Sequence, residues 1–304
     1  MRISTQTLFE TGAAQMGDLQ SGLVRTQQQI SSGRRILNPS DDPVGAARAL
    51  EVTQSQSINT QYGVNRQYAQ AALGAVEGTL SGVTALLQDV KTTVIAAGNG
   101  TLGDTERGFM ATELRGRFEQ LLGLANSRDG MGNYMFSGFQ TATPAFTESA
   151  PGVVQYDGDQ EQRLMQVDTT RQMAVGSPGQ TVFQGGVPGG AADTFKTLTD
   201  LITLLNTSGT AGLAAGLATA NNNLDLSLDN VLTIRASAGS RLQELDALNE
   251  AGTDRNLQYS QILSELQDLD YTQALTRLSQ QQFTLEAAQR SFSTISKLSL
   301  FNFL

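Results

Sequence analysis

Proline placement constrains this 304-residue chain more than any other feature. All six prolines fall between Pro39 and Pro188, and residues 44–143 and 189–304 hold none. Proline removes a backbone donor and clashes with the preceding turn, so its absence leaves both long spans free to be helical. Residues 130–190 differ in kind. They contain four of the prolines, 11 glycines and five aromatics from Tyr134 to Tyr156. The predicted order is helix, an irregular or β-rich middle, then helix.

The first span opens with apolar and small residues at alternating steps of three and four: Phe9, Gly12, Met16, Leu19, Leu23, Thr26, Ile30, Gly33 and Leu37. That is a coiled-coil seam with gaps. The last span carries two stripes of the same kind. One is Tyr259, Ile262, Leu266, Leu269 and Gln273; the other is Leu275, Leu278, Gln282, Leu285, Gln289 and Phe292. Polar interruptions weaken a seam, and an isolated helix carries a nucleation cost. These arms are expected to be marginal alone and stable against partners. Spacing alone fits an ordinary helical bundle with a patchy core face at least as well.

Local signals place the joints. Asn38-Pro-Ser-Asp-Asp-Pro43 reads as a loop before a helix, with Asp42 as N-cap, Pro43 at the first helical position and Asp41 favouring the positive helix end. That helix is predicted to reach Ala97, where Gly98-Asn-Gly100 ends it. Asp104 or Thr105 should cap a further helix to Ser127. Asp193–Asn206 reads as a short helix. Another starts at Leu213 and stops near Ala236, before an interruption at Ser237–Ser240. Val153–Tyr156 and Arg163–Val167 look like two strands around an Asp157-Gly158 turn. Gly185–Gly190 reads as a hinge-like linker.

Composition removes whole classes of chemistry. The chain has no Cys and no His, so Cys–His and Ser–His–Asp devices and Cys-based zinc sites are excluded. With 20 basic against 29 acidic residues and a pI near 4.6, no cationic face for nucleic acid is expected. The N-terminal residues show no apolar run of a signal peptide, and no stretch is apolar enough to span a membrane. Gly98-Asn-Gly100-Thr-Leu-Gly103 matches a dinucleotide fingerprint, but a helix rather than a strand is predicted before it. Asp157, Asp159, Glu161 and Asp168 have the spacing of calcium-loop ligands. Gln162 stands where that loop needs glycine, and Asp168 where it needs a bidentate Glu. Asp268 and Asp270 form a carboxylate pair placed in the helical seam. No catalytic residue, metal or cofactor is assigned.

The two ends are recognisable together. Ser31-Ser-Gly-Arg-Arg-Ile-Leu-Asn-Pro-Ser-Asp-Asp-Pro-Val-Gly45 resembles the flagellin signature S-G-x-R-I-N-x-x-x-D-D-x-A-G, and Leu269-Asp-Tyr271 with its following helix resembles the flagellin ending D-x-D-Y. Within that family, Asn133–Gly138, Pro144-Ala-Phe146 and Tyr156-Asp-Gly-Asp159 are similar to the members that join hook to filament. The resemblance implies a mainly α, flagellin-like fold. Its terminal arms, 1–42 and 271–304, would pair as an antiparallel coiled coil. A helical rod would be formed by 43–140 and 192–270, and a small β-rich outer domain by 141–191. It implies a structural adaptor in the extracellular flagellum, joining the hook to the flagellin filament. The implied partners are the first hook-associated protein, flagellin, identical subunits in a junction ring, an export chaperone and the flagellar type III apparatus, with no cleaved signal. The expected assembly interface comprises Met16, Leu19, Leu23, Ile30, Leu266, Leu269, Leu278, Leu285 and Phe292. Asn38, Pro39, Asp41, Asp42 and Pro43 would set the angle between arm and rod. A filament flagellin, and a secreted effector or adhesin whose middle segment binds a ligand, are the alternatives.

Overall fold

A computed structural model describes residues 5–297; the outermost ends of both predicted arms lie outside the described residues. The chain runs α1 (Thr5–Ser32), α2 (Pro43–Ala97), α3 (Asp104–Ala125), β1 (Phe146–Ala150), β2 (Val153–Tyr156), β3 (Leu164–Asp168), β4 (Arg171–Ala174), α4 (Gly179–Phe183), α5 (Thr194–Asn206), α6 (Leu213–Gln267) and α7 (Tyr271–Lys297). It divides into two compact units, one up to Asn59 and from Thr253 onward, the other Thr60–Gly252. The division falls inside α2 and α6.

The 60–252 unit is built on heptad stripes. On α2, Leu73, Val76, Leu80, Val83, Leu87, Val90, Val94 and Ala97 are buried at alternating steps of three and four. On α6 every seventh residue from Leu217 is buried: Leu224, Val231, Ala238, Leu245 and Gly252. Such a period keeps one face of a long helix turned toward its neighbours. Ala238 lies on this stripe, and the interruption expected at Ser237–Ser240 does not occur. One helical glycine costs about 1 kcal/mol against alanine, and burial of the stripe on both sides outweighs it. Leu114, Phe118 and Leu121 of α3 and Leu198, Leu201 and Leu205 of α5 share one core with Val76–Ala97 and Leu217–Val231 of these stripes, while Leu73, Ala238 and Leu245 pack in a second cluster with Val167 and Met173.

The middle segment pairs differently from the sequence reading. Val153–Tyr156 turns back onto Phe146–Ala150, with Phe146 opposite Tyr156. Gly152, at φ +79°, makes the tight turn. Leu164–Asp168 pairs instead with Arg171–Ala174. Asp157-Gly158 is therefore not a hairpin turn, because Asp159 anchors that stretch to the loop before it, accepting from the Phe139 amide at 2.8 Å. The two hairpins form separate two-stranded sheets. Phe146 meets Phe183 of α4 edge-to-face and Phe195 of α5 at a tilt, with ring centroids 5.5 and 5.1 Å apart. The segment 141–191 thus contributes to the helices' hydrophobic core within one compact unit.

Caps and turns follow the sequence in part. The helix read over Asp193–Asn206 is α5, and Asp193 is its cap, accepting from the Lys196 amide at 3.1 Å. It also holds the Gly189 amide at 2.8 Å, so the glycine-rich stretch before it is a built loop with Gly185, Gly186 and Gly189 at positive φ. Neither Asp104 nor Thr105 caps α3; Gly103 occupies that position. Asp104 is drawn away by the buried Arg107 and the Gly209 amide.

Candidate functional site

The chain-end unit brings the two sequence signatures together. Along α1, Gly12, Met16, Leu19, Leu23, Thr26 and Ile30 face inward, as the spacing predicts, as does Gly33 just past its end, and only the end residue Phe9 of that seam is more than half exposed. Along α7 the inward stripe is Ala274, Leu278, Gln281, Leu285, Ala288 and Phe292. Leu278, Leu285 and Phe292 lie on it. Leu275, Gln282 and Gln289 do not, since a strict heptad from Ala274 leaves them outside.

Small residues on α1 fix the register. A Cβ at Gly12 would lie 2.8 Å from the Phe292 ring, one at Gly22 would lie 3.5 Å from the Gln281 amide, and one at Gly33 would lie 3.0 Å from the Tyr271 hydroxyl. The helices are therefore antiparallel and closely approached. The same register sets Leu19 level with Leu285 and Ile30 level with Ala274. Phe9 covers the far end on Phe292, with ring centroids 5.0 Å apart.

At the other end the chain ties a knot between the α1–α2 loop and the α6–α7 turn. The Arg35 amide donates to Gln267 O (2.7 Å), and the Leu269 amide donates to Gly33 O (3.0 Å). The Arg35 guanidinium reaches Leu266 O at 2.9 Å and Asp42 Oδ2 at 3.1 Å. Gln29 closes the ring from below, donating to Arg35 O at 2.6 Å. The backbones of Asp268 and Arg34 pair in an isolated antiparallel β-bridge, and Asp270 caps α7 by accepting from the Gln273 amide at 3.1 Å. The carboxylate pair is therefore in a turn, not in a helical seam. Leu266 lies in the last turn of α6 and Leu269 between the helices, both half-buried.

Asp42 caps α2 as the sequence indicates, accepting from the Gly45 amide at 2.9 Å. Asp41 does not face the helix end. It accepts from the Leu37 and Asn38 amides at 3.1 and 3.0 Å and pairs with Arg25 at 2.7 Å. The Asn38 amide chiefly holds the Asp41 carboxyl below its ordinary value. For Asp42 the Gly45 amide does so first and Arg35 second. Asn38, Pro39 and Pro43 are exposed. Asn38 and Pro39 form one wall of a groove of about 230 Å³ whose floor includes Ile36, Leu37, Ala46 and Ala49.

Spacing marks Gly33 only as a gap in the α1 seam and does not mark Gln29, Arg35 or Tyr271, although Gly33, Arg35 and Tyr271 sit in the quoted signatures. Only the fold shows that they meet. The remaining motifs stay apart from this site. Gly98–Gly103 follows a helix. Asp157 accepts from Thr147, Asp159 from Phe139 and Glu161 amides, and Asp168 from Thr169, so the acidic set is spent on separate turns. Among the described residues no three acidic side chains converge on one point.

Comparison with known proteins agrees with this geometry. Residues 3–141 match the family model of the bacterial flagellin N-terminal helical region. Flagellar hook-associated protein 3 of Escherichia coli (strain K12) is 35% identical over 316 residues, covering 99% of each chain. A solved flagellar hook-associated protein from Vibrio parahaemolyticus superposes with a TM-score of 0.69 at 24% identity, over 75% of this chain and all of that one. The flagellar junction protein of Legionella pneumophila gives 0.59 at 21% identity, over 73% of this chain and 100% of its own.

Proposed function

Because this chain belongs to the flagellar hook-associated protein 3 family, we propose that it is a structural adaptor seated between the hook and the filament of a bacterial flagellum. The observation that carries this reading is the closure of the two chain ends on each other. α1 and α7 pair antiparallel, and the two end signatures lock their common base. Full-length identity to a hook-associated relative supports the junction over the filament.

On this reading residues 1–42 and 271–304 form the arm domain, 43–140 and 192–270 the helical rod, and 141–191 the outer segment. Met16, Leu19, Leu23, Ile30, Leu278, Leu285 and Phe292 hold the arm pair. They are half-buried, which leaves part of each for a neighbouring subunit. Off the seam, Val24, Leu275 and Phe283 are 45, 52 and 75% exposed and present further apolar area. Asn38, Pro39, Leu266 and Leu269, with Asp41, Asp42 and Pro43, fix the base of the arm. One end of the assembled ring meets the first hook-associated protein and the other meets flagellin, with identical subunits alongside. The chain travels unfolded through the flagellar type III apparatus with a chaperone, a route that a Cys-free chain does not obstruct with disulfides. It lies outside the cell and has no catalytic task.

Seeded growth tests the assignment. A junction subunit joins two different proteins, so its own two ends need not fit each other, whereas an open polymer needs self-complementary ends. Purified chain added to hook fragments bearing the first hook-associated protein should form a short, self-limited cap that then accepts flagellin. Long tubes of this chain alone would make it a filament protein.

A further inference from the structure

The turn between α2 and α3 lies apart from the arm pair and its base and carries chemistry of its own. Asn99-Gly100 is the chain's single Asn-Gly step, and both residues are exposed. The turn is held by the Asn99 amide on Ala96 O and the Leu102 amide on Asn99 O, both at 3.1 Å. The Asn99 side-chain oxygen accepts from the Thr101 amide at 3.2 Å and from the Thr101 hydroxyl at 3.0 Å. That is an Asx-turn, a ring closed from the side chain to the amide two residues on. The ring encloses the Gly100 nitrogen and keeps it beside the Asn99 side-chain carbon. Two donors on the oxygen draw electron density from that carbon, as donors do where an oxyanion forms. The Gly100 amide has no acceptor among the described residues, and a Cβ there would meet nothing within 4 Å. Glycine therefore leaves its nitrogen free to rotate toward the carbon.

We propose that Asn99-Gly100-Thr101 is a self-modifying site at which Asn99 loses its side-chain amide to its own backbone. The Gly100 nitrogen gives its proton to solvent and bonds to Asn99 Cγ. The resulting oxyanion sits on the Thr101 donors. The bond from Cγ to the side-chain nitrogen breaks, and that nitrogen takes up protons from water and leaves as ammonia, closing a five-membered imide. Water then opens the imide at either carbonyl, giving aspartate or isoaspartate; no electrons are transferred and water is the only co-reactant. The product places a carboxylate at the C-terminal end of α2, where the helix dipole disfavours it, close in sequence to Asp104 and Glu106 of α3. Isoaspartate also lengthens the backbone of the turn by one carbon. Age of the protein would thus be recorded as acidity and loosening at one turn.

Asn126 supplies the internal comparison. Its amide group donates to Phe146 O at 2.8 Å and accepts from the Phe146 amide at 2.9 Å, while the following Ser127 amide is engaged with Leu124 O. Both reacting groups are occupied there. The full chain would be incubated in sterile buffer at neutral and mildly alkaline pH, then digested in heavy-oxygen water to separate incubation from digestion. The peptide between Lys91 and Arg107 should accumulate acid forms, isoaspartate above aspartate, faster at the higher pH, with Asn126 unchanged. Gly100→Ala should slow conversion on the order of tenfold, and Thr101→Val should slow it severalfold. Both sites are exposed, so the fold is not at stake. Conversion at Asn99 no faster than at Asn126 would overturn the proposal. An undiminished rate in Thr101→Val would overturn the role given to Thr101.

Discussion

Replacing Gly33 with alanine should loosen the base of the arm pair while leaving the 60–252 unit untouched. Gly33 sits at φ +70°, and its carbonyl accepts the Leu269 amide at 3.0 Å. A left-handed backbone costs a residue with a Cβ about 1–2 kcal/mol. The new Cβ would also stand 3.0 Å from the Tyr271 hydroxyl, the tip of a side chain that can give by a few tenths of an ångström. The conformational term therefore dominates, and a net loss of about 1 kcal/mol should multiply local opening roughly fivefold. Hydrogen exchange reads this directly. The amides of Arg35 and Leu269, which tie the loop to the turn, should exchange faster by that factor, while the Thr197 amide on Asp193 O serves as the unchanged reference. Gly33→Asn separates conformation from crowding. Asparagine tolerates the left-handed region but is larger, so it should exchange closer to the parent than alanine does. Asparagine behaving worse than alanine, or alanine matching the parent, would refute the conformational argument.

Acid should release the same knot. Asp41 and Asp42 titrate below their ordinary value of 3.8 in the folded chain, held down mainly by the amides of Asn38 and Gly45. A depressed folded value means that the stabilisation is complete above the unfolded value and is lost as pH falls through the folded one. Protection of the Arg35 and Leu269 amides, taken relative to the intrinsic exchange rate at each pH, should therefore fall only as pH drops below about 3.8, and Asp42→Asn should shrink that fall. In the other unit, Asp193→Ala would strip the cap from α5 and leave the buried Gln184 amide and the Gly189 amide without their acceptor. A loss of about 2–3 kcal/mol is expected, read by denaturant unfolding. Phe183→Ala removes a ring fully buried against Phe136, Phe146 and Phe195 and should cost about 3–5 kcal/mol, lowering the thermal midpoint.

Much of this architecture is legible in the sequence because its signals are local. Proline-free spans, the Asp42 cap, the glycine after Ala97 and the seam of α1 depend only on neighbouring residues and helical period. The resemblance of the two ends, also a local pattern, pointed to the family. What depended on contacts distant in the chain was not legible. The continuity of α6 through Ser237–Ser240 is decided by burial of Ala238 between other elements, not by the weak propensity of that stretch. The strand partners in the middle were misjudged because period-two patterns mark strands but not mates, and Gly152 with the Asp159 anchor chose the mates. On α7 Leu278, Leu285 and Phe292 kept their places and only the alternate positions moved by one, because Ala274, Gln281 and Ala288 fit against α1 where larger side chains would hold the helices apart. Sequence alone thus determined the long helical spans, the cap of α2 and the kind of protein. Tertiary structure decided that Gly33, Arg35, Gln267 and Tyr271, more than 200 residues apart in pairs such as Gly33 and Tyr271, close one knot. Its backbone hydrogen bonds exist only once both chain ends have been brought together.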